Sequence, residues 1–222
     1  MTELELIIFD VDGTLYDLDD VVKVNYDIQV DFYSRKMNIT PAEARTIFDQ
    51  NGILSCKSDK AKSATEFFLR SGIDSDEWTA YRNNNFSPEV INCDNAASEE
   101  LIQSFAEISP LVLLSSNTRN NILSVLKWIN INPALFADIY CTDNNPGKSP
   151  FNKTNAITGI ITAKNLAAEK ILSIGDRYST DVEPLLRLGG HGAVISSPHN
   201  LQNVYEDLLL EKLCSNKFYC FY

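Results

Sequence analysis

The sequence predicts a doubly wound α/β fold, in which a parallel sheet carries helices on both faces and a small helical domain is inserted after the first strand. Short apolar runs recur along the chain, and helix-length segments separate them. The runs show no polar alternation, as is typical of parallel strands buried on both faces. After the first run, a long stretch contains only helical candidates.

The first predicted strand covers residues 4–9 and ends in the turn Asp10-Val11-Asp12-Gly13-Thr14. Further strands are predicted at 111–114, 138–141, 170–174 and 192–195. Helices are predicted between them at 119–129, 150–163 and 180–188, each long enough to cross the sheet and return the chain to the same edge. Ligands of such sheets bind beyond the carboxyl ends of the strands, so the loops there are the place to look for chemistry.

The inserted segment is predicted at residues 19–87, which leaves 1–18 and 88–222 as the α/β core domain. Its predicted helices cover 21–37, 41–50, 60–71 and 76–83. Thr40 is a predicted N-cap because Pro41 follows at the first helical position and Glu43 completes a capping box. The aromatic segment 218–222 is expected to pack on the core or to offer an edge to a partner.

The composition excludes several classes of function. A formal net charge of -11 argues against a broad nucleic-acid surface, which is built from clustered Lys and Arg, yet leaves a small phosphorylated metabolite possible as a ligand. The N-terminal residues lack a basic signal region and no apolar stretch reaches membrane length, so we expect a cytoplasmic protein. The five scattered cysteines indicate reduced thiols. The oligomeric state is not predictable from these features.

Acidic pairs follow two of the predicted strands. Asp10 and Asp12 follow the first, and Asp176 and Asp181 follow the strand at 170–174. Parallel strands end at one edge of the sheet, so these carboxylates are expected to converge on a hard divalent cation such as Mg²⁺. The alternatives are purely local: one Asp of the first pair caps a turn, and Asp181 stabilises the first turn of its helix.

Asp10-Val11-Asp12-Gly13-Thr14 and Gly175-Asp176…Asp181 resemble the first and fourth motifs of the haloacid dehalogenase (HAD) superfamily, whose Rossmann-like core carries a helical cap in subfamily I. Ser116, directly before Asn117, is similar to the family's second motif, with Ser115 as the alternative. Lys148 resembles the third motif. Ser149 stands where members often have proline, which leaves Lys153 as the other candidate.

The resemblance implies a Mg²⁺-dependent phosphatase that acts on a small phosphate monoester through an aspartyl phosphate. Asp10 would be the nucleophile and Asp12 the general acid and base. The implied metal ligands are Asp10, Asp12 through its backbone carbonyl, Asp176 and Asp181. The implied phosphate-binding residues are Gly13, Thr14, Ser116, Asn117 and Lys148. A sugar-phosphate phosphomutase and a non-catalytic HAD-like interaction protein are the alternatives, while a phosphoacceptor receiver domain fits the motif order poorly.

The spacing of the inserted segment loosely resembles the pyrimidine 5′-nucleotidase-like branch, which makes a nucleoside monophosphate one candidate substrate. Tyr16, Phe48 or Tyr81 would then stack on the base. The alternative is that these aromatic side chains lie in a hydrophobic core.

Overall fold

The computed structural model describes residues 4–55, 62–144, 151–210 and 218–221. The chain divides into two compact units. An α/β unit comprises Met1–Asp17 and Asn92–Tyr222, and a helical unit comprises Leu18–Ile91. The sequence places the insert at 19–87, and the treatment of the two units as separate domains stays a prediction.

Six parallel strands form one sheet in the order β3-β2-β1-β4-β5-β6. The strands are β1 (Leu6–Phe9), β2 (Leu111–Leu114), β3 (Phe136–Tyr140), β4 (Ile171–Gly175), β5 (His191–Ile195) and β6 (Phe218–Phe221). The predicted doubly wound α/β fold is therefore confirmed. The chain runs outward from β1 to β3 and then returns to place β4 on the other side of β1, which creates a crevice at the carboxyl ends of β1 and β4.

Nine α-helices lie in the described residues. They are α1 (Asp19–Met37), α2 (Pro41–Asn51), α3 (Ala64–Arg70), α4 (Ser75–Asn85), α5 (Glu99–Ile108), α6 (Arg119–Trp128), α7 (Lys153–Lys164), α8 (Glu183–Arg187) and α9 (Leu201–Leu209). Among these described helices, none combines the length and the apolar composition that crossing a bilayer requires.

The central strands are apolar because both of their faces are covered. Every residue of β1, β2 and β4 is buried. On one face, Leu6 and Ile8 of β1 pack with Ile157 and Ile160 of α7. Phe9, the last residue of β1, packs edge-to-face against Phe105 of α5, with 5.2 Å between the ring centroids. This burial fixes β1 and β4 in register, so the loops that follow Phe9 and Gly175 leave the sheet side by side.

The helical unit is held by an aromatic core rather than by its individual helices. Phe48 is fully buried there and contacts Tyr26, Tyr33 and Phe67 at 5.4 to 5.8 Å between ring centroids. The proposed base-stacking role of Phe48 is therefore wrong, because its ring belongs to this core. Helix α2 begins with the predicted capping box, in which Thr40 and Glu43 satisfy each other's backbone N–H groups.

Tyr81 of α4 is also part of this aromatic cluster. Its ring lies 5.1 Å from that of Phe32, and its hydroxyl donates to Asp31. Burial and the contact with Asp31 raise the pKa of Tyr81 above its ordinary value. The residue thus joins α4 to α1, and its hydroxyl is already engaged in a structural hydrogen bond.

The C-terminal aromatic segment extends the sheet. Strand β6 pairs with β5, and Phe218 packs edge-on against Tyr178 at 5.2 Å. Among the described cysteines, Cys93, Cys141 and Cys220 form no disulfide, whereas Cys56 and Cys214 lie outside the described residues.

Candidate active site

Three carboxylates converge where β1 and β4 end. Asp10 follows β1 and stays in the ladder, because its backbone N–H donates to the carbonyl of Ile174 at 2.9 Å. Asp176 and Asp181 follow β4. Each of the three residues offers an oxygen, and these oxygens lie within 4.8 Å of one another. The structure therefore brings together three of the four carboxylates that were expected to converge, and the Asp12 side chain is not among them.

Lys153, the first residue of α7, places its ammonium group among these carboxylates. Its Nζ lies 2.6 Å from Asp10 Oδ1 and 2.7 Å from Asp181 Oδ1. All three side chains are at most 10% exposed, so little water screens the contacts. Helix α7 begins here because the Asn152 side chain caps the N–H of Asn155. A cation at a helix N-terminus opposes the helix dipole, so its carboxylate partners account for this placement.

The carboxylate cluster contains more acidic groups than the single ammonium group of Lys153 can neutralise. Burial, the largest effect, raises the pKa of Asp10 well above its ordinary value, and Lys153 opposes that rise. The neighbouring carboxylates of Asp181, Asp12 and Asp176 raise the pKa of Asp10 further. Burial alone would lower the pKa of Lys153, but its two carboxylate partners raise it overall, so the ammonium group stays charged. One lysine thus compensates only part of the negative charge.

Asp181 is held by the turn that follows β4. Residues Tyr178–Val182 form a π-helical turn, and Asp181 Oδ2 accepts the backbone N–H of Arg177 at 2.9 Å. Ser173 in β4 donates its hydroxyl to the Asp181 carbonyl at 2.6 Å. A Cβ at Gly175 would lie 2.3 Å from Asp181 Cβ, so only glycine admits this close approach.

Glycine is required at a second position, in the turn after β1. Gly13 has a φ of +82°, and a Cβ there would lie 2.6 Å from Asp176 Oδ2. Both features exclude other residues. A residue with a side chain is disfavoured in the left-handed conformation, and its Cβ would displace the Asp176 carboxylate. Because Gly13 has no side chain, the Asp176 carboxylate can lie directly against the turn after β1.

Asp12 has a different environment from Asp10, since its hydrogen-bond donors are neutral. Ser115 Oγ donates to Asp12 Oδ2 at 3.3 Å, and Asn117 Nδ2 donates to Asp12 Oδ1 at 3.4 Å. The Tyr16 hydroxyl also donates to Oδ1. The Tyr16 ring is fully buried, so its proposed role as a stacking face is wrong in this structure.

The second motif presents Ser115 and not Ser116 to Asp12. Ser115 is fully buried because its N–H still pairs with the carbonyl of Tyr140 in β3, which keeps it in the strand direction. Ser116 is exposed. Asn117 is buried and contacts Asp12, while its side-chain oxygen accepts the N–H of Thr118 at 2.9 Å.

The remaining predicted contacts involve Thr14, the backbone of Asp12 and Lys148. Thr14 is fully buried, and its N–H donates to the Val11 carbonyl at 3.3 Å within the turn after β1. The Asp12 side chain lies outside the carboxylate cluster, so its predicted metal contact rests on the backbone carbonyl alone. Lys148 lies outside the described residues, and its role stays a prediction.

The carboxylate cluster fits a hard divalent cation. Its three donors are carboxylate oxygens, the ligand type that Mg²⁺ prefers, and His and Cys, which zinc would favour, are not among them. Lys153 balances one of the three negative charges, and a divalent cation would balance the other two. The cluster therefore has the donor set and the charge that Mg²⁺ requires.

Comparison with known proteins identifies the family of the chain and proteins of similar fold. The family model of haloacid dehalogenase-like hydrolases matches residues 7–189. A HAD phosphatase from Thermococcus onnurineus has 16% identity and a TM-score of 0.60, over 90% of this chain and 97% of that chain. A HAD-hydrolase assigned as YfnB from Bacillus subtilis, solved with bound magnesium, has 13% identity and a TM-score of 0.54, over 92% and 99%. Comparison with curated protein sequences found no match.

A Thermotoga maritima protein assigned as a β-phosphoglucomutase is similar in the same way, with 18% identity and a TM-score of 0.52 over 92% of this chain and 100% of that chain. At these identities the solved structures support the fold alone. The family model is more specific, because it spans the first turn, the helical insert and the turn after β4. Since that match covers most of the sequence, the chain belongs to the haloacid dehalogenase-like hydrolase family.

Proposed function

We propose that the protein is a Mg²⁺-dependent phosphatase that hydrolyses a small phosphate monoester through an aspartyl phosphate on Asp10. The observation that carries the proposal is the contrast between two neighbouring carboxylates. Asp10 is buried against the ammonium group of Lys153, whereas Asp12 is held by neutral donors. Such a contrast suits one carboxylate to nucleophilic attack and the other to proton transfer.

In the first step, an Asp10 carboxylate oxygen forms a bond to phosphorus while the bond to the leaving oxygen breaks. Protonated Asp12 gives its proton to that leaving oxygen. In the second step, the Asp12 carboxylate takes a proton from a water molecule as that water attacks phosphorus. The bond from Asp10 to phosphorus then breaks, which releases inorganic phosphate and restores the Asp10 carboxylate and the protonated Asp12.

Lys153 supports both steps. Its ammonium group keeps Asp10 oriented beside Asp181 and would lie near the entering phosphoryl oxygens. Asp10, Asp176 and Asp181 would hold Mg²⁺, and Asp12 would add its backbone carbonyl. Bound Mg²⁺ would supply positive charge against the phosphoryl oxygens. The buried hydroxyl of Ser115 is better placed than Ser116 to donate to a phosphoryl oxygen.

The substrate class we propose is a small phosphorylated metabolite in the cytoplasm. A nucleoside monophosphate stays in the class, although Phe48 and Tyr16 are buried and offer no ring face for a base. Phosphate release should be measured with nucleoside monophosphates, sugar phosphates and phosphoglycolate, with Mg²⁺ and with EDTA. Mg²⁺-dependent release from one group identifies the substrate class, whereas no release from any group contradicts the proposal. Conversion of a sugar phosphate without free phosphate would indicate a mutase.

Mg²⁺ is expected to stabilise the fold through the carboxylate cluster. At about 100 times its dissociation constant, a ligand that binds only the native state adds about 2.7 kcal/mol to the free energy of unfolding. Thermal unfolding with and without MgCl₂ should therefore show a Tm increase in the wild type. Asp176→Asn removes one of the three carboxylates and should lose most of that increase. An equal increase in both proteins would show that Mg²⁺ binds elsewhere.

Ser115→Ala and Ser116→Ala form a matched pair of variants. A hydrogen bond to a charged group contributes about 1.5 to 3 kcal/mol, so Ser115→Ala should lower kcat/KM by about 10- to 100-fold. Ser116 is exposed, and its replacement should change kcat/KM by no more than about twofold. Steady-state kinetics on the best substrate of the panel measures both. The reverse order of effects would assign the second motif to Ser116.

A further inference from the structure

Asp12 requires a fixed orientation, because a proton donor must meet the leaving oxygen within hydrogen-bonding distance. In the described residues, three side chains contact its carboxylate. The contacts from Ser115 and Asn117, at 3.3 and 3.4 Å, are at the long end of the hydrogen-bond range. The third hydrogen bond comes from the Tyr16 hydroxyl, which donates to Asp12 Oδ1.

Tyr16 is itself rigidly placed. Its backbone forms a bridge with Asp12 on one side and with Ala96 on the other. The carbonyl of Leu15, next to it, accepts the N–H of Ala97 at 2.8 Å. The ring is fully buried, and a tyrosine has only two side-chain torsions to fix. The hydroxyl therefore has a defined position relative to the first loop.

The chemistry of this hydroxyl suits a carboxyl group that transfers protons. A phenol both donates and accepts a hydrogen bond, whereas the Asn117 amide nitrogen only donates. Tyr16 can therefore stay in contact with Asp12 as a carboxylate and as a carboxylic acid. It also carries no charge, so it does not compete with Lys153 for the neighbouring carboxylates.

We infer that Tyr16 is a positioning residue, which holds the Asp12 carboxyl group in the orientation needed for proton transfer. This inference rests on the proposed phosphatase function. Tyr16 acts on the reaction through the Asp12 carboxyl group and not on the phosphoryl group. Its hydroxyl should consequently matter to catalysis only while Asp12 can transfer a proton.

Tyr16→Phe removes the hydroxyl and keeps the ring. For an alkyl phosphate, whose leaving oxygen needs a proton, kcat should fall by about 10- to 100-fold with KM nearly unchanged. With p-nitrophenyl phosphate, whose leaving group departs without a proton, the first turnover should stay fast and release a burst of p-nitrophenolate before a slow steady state. Equal losses in the first turnover of both substrates would overturn the inference.

A double-mutant cycle separates positioning from a general structural effect. In an Asp12→Asn background, Tyr16→Phe should change kcat by less than about twofold, because the group through which it acts is gone. Additive losses would contradict the inference. Tyr205→Phe, which removes a tyrosine hydroxyl elsewhere in the α/β unit, is the control and should leave kcat unchanged.

Crystal structures of the wild type and Tyr16→Phe provide a test that does not depend on activity. A rotated or disordered Asp12 side chain in the variant supports the inference, and an unchanged side chain overturns it. A wild type that releases no phosphate from any substrate contradicts the proposed function alone. The two failures are therefore distinguishable.

Discussion

Asp10→Asn is expected to abolish phosphate release while making the Mg²⁺-free protein more stable. Asparagine has nearly the same shape as aspartate but is a much weaker nucleophile, so kcat should fall by at least about 10³-fold. Asp10 lies directly after β1, and its carboxylate contacts Lys153. The measurement is Mg²⁺-dependent phosphate release under single-turnover conditions, so that slow residual chemistry is still detected.

Asp10→Asn should lower activity but raise stability, because burial and the neighbouring carboxylates disfavour the ionised form of Asp10. Its pKa in the folded protein lies well above its ordinary value of 3.8, chiefly through burial. Folding therefore favours the protonated form, and the free energy of unfolding falls as the pH rises from about 4 toward the folded pKa. Asp10→Asn removes that loss, so its Tm in EDTA should exceed that of the wild type by a margin that increases with pH.

Measured Tm values at pH 5 and pH 8 test this directly. A stabilisation of about 1 kcal/mol would raise Tm by about 2 to 4 °C for a chain of this size. Asp27→Asn is a suitable control because Asp27 is a half-exposed partner of Arg45 on the surface of the helical unit. An Asp10→Asn protein that is less stable than the wild type at pH 8 would show that Asp10 is favourably ionised.

The fold is predictable because a short apolar run in the sequence marks each central strand. Residues 111–114 form β2 as predicted, and the acidic turns after 4–9 and 170–174 mark where β1 and β4 end. The edge of the sheet was harder to predict, since β6 is a short aromatic segment whose pairing with β5 is a long-range contact. Helix α5 was not predicted, although Ser98 caps it and Ile102 and Phe105 give it a buried face.

The π-helical turn was also missed. A helix over 180–188 is predicted from periodicity, whereas the structure has the turn Tyr178–Val182 followed by α8. The turn depends on side-chain bonds to the backbone, from Ser173 to the Asp181 carbonyl and from the Arg177 N–H to the Asp181 side chain. Periodicity contains no information about such bonds. The turn matters because it brings Asp181 to the carboxylate cluster.

Within the site, sequence spacing identified the carboxylates but ranked their partners differently from the structure. Ser115 was ranked below Ser116, yet strand pairing continues through Ser115 and keeps it buried beside Asp12. The sequence offers Tyr16 as a stacking face or as a core side chain, and not as a partner of Asp12, because a hydrogen bond within one turn of the chain leaves no periodic pattern. Whether Ser115 or Ser116 is buried depends on where the strand stops pairing with its neighbour. The residue types alone do not determine that position.

The choice between Lys148 and Lys153 leads to the second large effect. Lys153→Met is expected to destabilise the protein by about 3 to 5 kcal/mol, because two buried carboxylates lose their shared cation. Methionine retains the unbranched chain of lysine up to the Cε position and lacks only the ammonium group, so the loss reports mainly on charge. Phosphate release should also fall by at least about 10³-fold, since the ammonium group no longer orients Asp10.

Two matched variants make this prediction specific. Lys164→Ala removes an exposed lysine from the same helix and should change stability by no more than about 0.5 kcal/mol. Lys148→Ala tests the lysine that the sequence motif favours, and we expect it to retain most of the activity. Loss of activity in Lys148→Ala with full activity in Lys153→Met would return the third motif to Lys148.

A third variant identifies the origin of the destabilisation. Asp181→Asn removes one of the two carboxylates that Lys153 contacts, so adding it to Lys153→Met should recover part of the lost stability. Denaturant unfolding of the two single variants and the double variant gives the coupling free energy. A favourable coupling above about 1 kcal/mol would show that charge compensation dominates, whereas strictly additive losses would mean that Lys153 stabilises α7 by packing alone.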